Sequence, residues 1–120
     1  MTTRRRKNYA AQTGYGYDYY FVGQRAALAG APAGAVTEFV FDVSADRKTT
    51  YAVSVFLCAE ALESWAARHG RSLAAAEQYA AAKLRLLAGL DEIESLAAHS
   101  RQLLIDATMI EELLGPLGLE

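Results

Sequence analysis

The sequence has very little of the residue types that build disulfides, metal sites and catalytic centres. It contains a single cysteine, Cys58, and two histidines, His69 and His99. One cysteine cannot form a disulfide within the chain, and we interpret Cys58 as a small buried hydrophobic residue because it ends an apolar run. No pair of histidines stands at a metal-binding spacing, and no phosphate-binding loop or nucleophile motif occurs. The sequence therefore predicts no catalytic residues, no metal site and no cofactor.

Long apolar runs are also missing. No stretch approaches the roughly 20 apolar residues of a transmembrane helix. The basic residues near the start are not followed by the apolar segment of a secretory signal. Because 52% of the 120 residues are nevertheless apolar, the chain can bury a core of its own. We therefore expect a single cytoplasmic domain that does not enter a membrane.

Charge is distributed unevenly although the net charge is only −2. Residues 1–25 hold five Arg or Lys and one Asp, whereas residues 91–120 hold one Arg and seven acids. Four basic residues are consecutive: Arg4, Arg5, Arg6 and Lys7. Such a run can neutralise phosphates, so binding of nucleic acid or another polyanion is one open alternative. Docking on the acidic surface of a neighbouring copy is another, and a merely solubilising role is a third.

The alternation of apolar residues predicts three strands after an N-terminal arm. Residues 1–13 have no apolar period, and we predict a flexible basic arm there, followed by a single domain over residues 14–120. Apolar residues alternate over about 15–25, 36–44 and 49–57, which is the period of β-strands. Short connections between successive strands predict an antiparallel meander.

The two faces of the predicted sheet differ in composition. One face is nearly continuously aromatic and aliphatic, which predicts that the helices pack on it. The other mixes apolar residues with three acids, and we predict that this open face binds a protein partner. The predicted contact residues on the open face are Tyr20, Val22, Val40 and Phe56. Because its acids would repel phosphates, nucleic-acid binding is not favoured on this surface.

After residue 58 the apolar period becomes that of a helix. The predicted helices cover about 59–69, 73–88 and 91–114. Gly70 is placed to end the first helix, and Ser72 to begin the second. The position of Gly89, before an acidic capping pattern, leaves open whether the last two segments form a helical hairpin or one long helix.

A single heptad phase runs through the last two helical segments. Sustained spacing of this kind is typical of a helix–helix seam. The predicted seam residues are Ile93, Leu96, Leu103, Ile110 and Leu114. A long helix would extend beyond a domain of this size and would need a second chain to cover it. The pattern therefore predicts a homodimer or a higher homo-oligomer.

Together these patterns predict an α+β fold. A three-stranded antiparallel β-meander is followed by two or three α-helices packed on one sheet face. The favoured function is a small non-enzymatic protein-interaction module that forms homo-oligomers and binds a protein partner. Polyanion binding through the basic arm remains an alternative. So does a small-ligand-binding protein or enzyme with a pocket between the sheet and the helices.

Overall fold

The computed structural model describes residues 7–11, 16–46, 48–92 and 101–118 of the chain. These residues form one sheet of five strands together with three α-helices. In chain order the elements are β1 (Lys7–Ala10), β2 (Gly16–Ala26), β3 (Ala35–Ser44), β4 (Tyr51–Cys58), α1 (Ala59–His69), α2 (Ala75–Glu92), β5 (Gln102–Ile105), α3 (Ala107–Leu114) and a 3₁₀ turn (Gly115–Leu117). The strand order in the sheet is β1-β2-β3-β4-β5.

The α+β class predicted from the sequence is confirmed, and the sheet is larger than the predicted three strands. β2, β3 and β4 form an antiparallel meander, in which Phe41 lies opposite Phe21 on one side and Val53 on the other. β1 adds an antiparallel strand beside β2, whereas β5 pairs parallel with β4. A parallel pair needs a crossover connection, and α1 and α2 lie between β4 and β5 in the chain. The sheet is therefore mixed.

The hydrophobic core lies between the helices and one face of the sheet, here called the first face. Phe39, Phe41 and Val43 of β3 point to this face and are completely buried. Tyr79 of α2 packs on it, with ring centroids 4.9 Å from Phe21 and 6.3 Å from Phe41. The helices thus cover the aromatic face, because it is the face with the most apolar surface to remove from water.

β2 departs from strict alternation at Val22. Phe21 lies opposite Phe41, but Gly23 lies opposite Val40, so Val22 has no partner in the register. Such a bulge adds one residue to a strand and changes which face the following side chains occupy. Arg25 would share the first face with Phe21 if alternation continued. The bulge instead places Arg25 opposite Glu38 on the other side of the sheet, the second face.

The predicted helix over residues 91–114 is wrong in its middle, because Gln102–Ile105 form β5. Leu103 and Ile105 point into the core and are 4% and 0% exposed. Four residues contain too little periodicity to distinguish a strand from a helix. The edge of β4 provides the pairing partner that decides the outcome, with Val55 opposite Leu103. Residues 93–100 lie outside the described residues.

Gly89 does not break α2, which continues to Glu92. It lies against β5 instead, where a Cβ atom at this position would be 2.8 Å from Leu103 Cδ1. The missing side chain therefore lets α2 approach β5 closely. Neither the helical hairpin nor the single long helix forms, because β5 lies between α2 and α3.

The flexible arm predicted for residues 1–13 is wrong for the part that forms β1. Lys7–Ala10 pairs with β2, and Ala11 is buried. The sequence of this strand has no apolar period, so its order comes from contacts with other elements. Tyr9 illustrates this, because its hydroxyl donates a hydrogen bond to Asp91 Oδ2 of α2 at 2.6 Å. The remaining arm residues, 1–6 and 12–13, lie outside the described residues.

Local signals mark one end of each of the three α-helices. Gly70 ends α1 in the left-handed conformation with φ 73°, as predicted. Asp106 begins α3 by accepting a hydrogen bond from the Met109 amide at 2.9 Å. Ser72 does not begin α2, which starts at Ala75. There Glu77 reaches back to accept from the Ala74 amide at 2.8 Å.

Candidate functional site

The second face of the sheet places two rows of side chains side by side across four strands. The first row, from β2 to β5, consists of Gly23, Val40, Ser54 and Gln102. The second row consists of Arg25, Glu38, Phe56 and Leu104. Val22, at the bulge, borders the first row. We call these nine residues the face patch. Val22 and Leu104 are each 39% exposed, so the patch presents aliphatic surface to solvent.

A buried carboxylate lies within the face patch. Glu38 is only 7% exposed, and its Oε1 accepts a hydrogen bond from Arg25 Nε at 2.8 Å. Its Oε2 accepts a second bond from the Ser54 hydroxyl. The Arg25 bond is the largest cause that lowers the pKa of Glu38, and the Ser54 bond adds to it, whereas burial acts in the opposite direction. Glu38 is therefore ionised at neutral pH and is neutralised within the face.

A cavity of about 340 Å³ lies beside this ion pair. Its lining consists of Val22, Gly23, Gln24, Arg25 and Val40. Two valines supply apolar walls, and the Arg25 side chain, 56% exposed, supplies a charged rim. None of the lining residues is a nucleophile or a general base at neutral pH. The cavity therefore suits a side chain of a partner better than a reacting substrate.

Of the four predicted contact residues, Val22 and Val40 line the cavity, and Tyr20 is half-buried on the same face. Phe56 also lies on this face, but it is only 3% exposed. The prediction that its ring is available to a partner is therefore wrong. Leu104 is the exposed apolar residue next to it. Sequence reasoning missed Leu104 because its segment was assigned to a helix.

Sequence reasoning also missed the ion pair of Arg25 with Glu38. The two residues are brought together by the bulge at Val22, which changes the face on which Arg25 lies. A glycine inside a strand is a signal for such a bulge, and Gly23 directly follows Val22. The sequence thus contained the signal, although it could not show which strand would lie opposite.

The predicted oligomer seam is wrong as a surface between copies for the three of its residues that the structure describes. Leu103 lies on a strand, and Ile110 and Leu114 of α3 are 0% and 2% exposed within the chain's own core. The heptad spacing of these three residues therefore reflects packing inside one chain. The other two seam residues, Ile93 and Leu96, lie outside the described residues.

Only one of the four predicted polyanion-binding residues lies in the described part of the chain. Arg4, Arg5 and Arg6 lie outside the described residues, whereas Lys7 begins β1. Lys7 is the main cause that lowers the pKa of Lys83 on α2, and burial adds to it. Nothing in the sequence indicated that Lys7 would affect Lys83.

A second group of interacting side chains joins α1 to α3. Trp65 is 1% exposed, and the His69 ring stacks on it with centroids 4.2 Å apart. The guanidinium carbon of Arg71 lies 4.9 Å from the centre of the Trp65 ring. His69 Nε2 is 3.0 Å from Glu111 Oε1 of α3. These contacts fix one helix against the other.

The described side chains offer little that would support catalysis. Within the four described segments, no group of three or more His, Cys, Asp or Glu residues is placed to hold a metal ion. Burial, with smaller contributions from Asp106 and Glu60, raises the pKa of the Cys58 thiol. Little thiolate is therefore present at neutral pH. Among the helices of the described residues, none has the length and apolar character needed to cross a membrane.

Comparison with known proteins finds no family model, no curated protein and no solved structure that matches this chain. Any functional assignment must therefore come from the geometry of the molecule. The face patch is the described surface that unites exposed aliphatic side chains, a cavity and a neutralised buried charge.

Glu38→Gln is expected to lower the free energy of unfolding by about 1–2 kcal/mol at pH 7. The substitution nearly keeps the shape but removes the charge that Arg25 and Ser54 stabilise; because Arg25 is more than half exposed, solvent screening favours the lower value. The pKa of Glu38 is lowered in the folded chain. Its contribution is therefore present above the unfolded-state pKa and is lost as pH falls through the folded-state pKa.

Urea denaturation of both proteins at pH 7 and at about pH 3 checks this expectation. The difference between wild type and Glu38→Gln should shrink in acid, because the contribution of the Glu38 charge is lost as the pH falls through the folded-state pKa. Glu63→Gln, at an exposed position of α1, is the matched control and should show little difference at either pH. An equal difference for Glu38→Gln at both pH values would show that the charge contributes nothing.

Proposed function

We propose that this chain is a non-enzymatic protein-interaction module that binds a second copy of itself through the face patch. The observation that carries the proposal is the Arg25–Glu38 ion pair, 2.8 Å between Nε and Oε1, set among exposed aliphatic side chains. Exposed apolar surface is what a protein partner covers. A charge already neutralised within the patch can be covered without a charged group from the partner.

Charge balance supports a second copy as the partner. In a two-fold symmetric interface the same patch lies on both copies, so a patch with one uncompensated sign would repel itself. The charged residues of the face patch are Arg25 and Glu38, which carry opposite signs and are paired. Removing water from a paired, hydrogen-bonded charge costs less than removing it from an isolated one. The patch is therefore compatible with its own copy.

The size of the patch sets the expected affinity. Its nine residues are fewer than the roughly 20–30 residues per side of a standard interface. Phe56 and Glu38 are already buried within the chain and add little new contact area. We therefore expect a weak dimer with a dissociation constant of roughly micromolar order.

Sedimentation equilibrium over a series from about 1 μM to 1 mM tests this proposal. Wild type should pass from monomer to dimer across the series. Val22→Asp and Leu104→Asp should each weaken the dimer by at least about tenfold, because each places an uncompensated carboxylate against its own copy. Both positions are 39% exposed, so the chain should still fold, which circular dichroism checks.

Leu28→Asp is the matched control for these substitutions. Leu28 is 57% exposed and lies between β2 and β3, outside the face patch. The same change of charge there should leave association unchanged. A wild-type chain that stays monomeric over the whole series would overturn the proposal. Equal weakening by Leu28→Asp would show that net charge, and not the patch, governs association.

A further inference from the structure

A small cavity of about 110 Å³ lies between α2 and α3. Its lining consists of Arg85 and Ala88 of α2 and of Met109, Glu112 and Leu113 of α3. The lining residues are spaced i, i+3 on α2 and i, i+3, i+4 on α3, so each set lies on one face of its helix. The cavity is therefore built by two helix faces that lie side by side.

The two charged residues of this cavity have opposite signs and do not neutralise each other. Within the described residues, neither Arg85 nor Glu112 forms an ion pair. The other lining residues are apolar and half-buried. The cavity thus combines an apolar surface with one cationic and one anionic group, and each of these can bind an opposite charge.

The Arg85 side chain is held in place by β5. Its Nε donates a hydrogen bond to the Leu104 carbonyl at 2.8 Å. A guanidinium has five N–H donors, so this bond leaves the four donors of the two terminal nitrogens. A ligand that binds these nitrogens has little side-chain entropy to remove, because the planar group is already fixed.

We propose that this cavity binds a free α-amino acid with a small aliphatic side chain. The ligand carboxylate accepts hydrogen bonds from the terminal nitrogens of Arg85, and the ligand ammonium group donates to Glu112. The aliphatic side chain packs on Met109 and Leu113. The cavity is smaller than the roughly 300–1,000 Å³ of pockets that hold drug-sized ligands, which favours a ligand of few heavy atoms.

The pair of opposite charges is the reason for choosing a zwitterion. A ligand with only a carboxylate would be attracted by Arg85 but repelled by Glu112, and a ligand with only an amine would meet the reverse. An amino acid carries both charges and is attracted by both residues. Because the ligand is small and makes few contacts, we expect a dissociation constant of roughly millimolar order.

This site goes beyond the proposed dimer contact. None of the five lining residues belongs to the face patch. Arg85 contacts the face patch through the backbone carbonyl of Leu104. A chain that stays monomeric would therefore keep the amino-acid site.

Titration of the full chain with L-valine, up to about 50 mM, tests the site. The chain has only two methionines, so NMR of ¹³C-methyl-labelled methionine gives a simple spectrum, and loss of one signal in Met109→Leu assigns it. The Met109 signal should show a saturable shift. Isobutyrate and isobutylamine keep the branched apolar group but carry one charge each. Both should bind at least about fivefold more weakly than L-valine.

Glu112→Gln and Arg85→Gln should each weaken L-valine binding by about tenfold or more. Glu112 is exposed, so its variant should fold normally. Arg85→Gln also loses the bond to Leu104, and circular dichroism checks its fold. Glu63→Gln is the matched control, because it removes the same charge from an exposed position of α1 and should leave binding unchanged.

Three results would overturn the proposal. One is the absence of a saturable Met109 shift with L-valine. Another is wild-type affinity in Glu112→Gln. The third is equal binding of isobutyrate or isobutylamine, because it would show that the cavity does not select a zwitterion.

Discussion

Trp65→Ala is expected to lower the free energy of unfolding by about 3–5 kcal/mol. The side chain is 1% exposed, and its removal leaves a cavity in the hydrophobic core. The substitution also removes the ring on which His69 stacks and over which Arg71 lies. A loss of this size is a large part of the roughly 5–15 kcal/mol that stabilises an ordinary domain. Urea unfolding followed by circular dichroism measures it.

Two further variants make the Trp65 result interpretable. Trp65→Phe keeps an aromatic ring in the cavity and should lose clearly less stability than Trp65→Ala. Leu28→Ala truncates a residue that is 57% exposed and should change the stability by no more than about 0.5 kcal/mol. A loss below about 1 kcal/mol for Trp65→Ala would mean that this side chain is not part of the core.

Ile110→Ala is expected to cost about 2–5 kcal/mol, and the cost should not depend on protein concentration. Ile110 is completely buried on α3, an element of only eight residues that relies on packing for its stability. The heptad pattern had placed this residue between two copies. Burial inside one chain predicts the same loss at any concentration, because no association is involved.

Urea unfolding at about 5 μM and about 500 μM distinguishes these two situations. The difference between wild type and Ile110→Ala should be the same at both concentrations, and the dimer dissociation constant should not change. Thr108→Ala, at an exposed position of the same helix, is the control for helix propensity. A loss of stability that varies with protein concentration would instead indicate that Ile110 lies at an interface between copies.

The part of the fold that the sequence predicted is the part with strong local periodicity. Phe39, Phe41 and Val43 alternate with residues of the other face over a long strand, and Gly70 ends a helix by its backbone conformation alone. For residues of this kind, the few neighbouring positions in the sequence are enough to indicate the local structure. The meander, the first helix and the choice of covered face follow from them.

The elements that sequence reasoning missed depend on distant partners. β1 is too polar and β5 too short to show a period of their own, so the edges of β2 and β4 decide their conformation. The residues of the candidate site also fall into two groups, those that were predicted and those that were missed. Val22 and Val40 were found from alternation, whereas the pairing of Arg25 with Glu38 depends on a register shift. The effect of Lys7 on the pKa of Lys83 likewise depends on tertiary packing.

Both edges of the described sheet end in strands of only four residues, β1 and β5. The unpaired backbone groups of an edge strand are a template onto which another chain can add, and long edges favour fibril growth. Here one edge carries the positive charge of Lys7. At the other edge, Arg85 Nε donates to the Leu104 carbonyl at 2.8 Å. Short, charged and partly occupied edges therefore oppose extension of the sheet into fibrils.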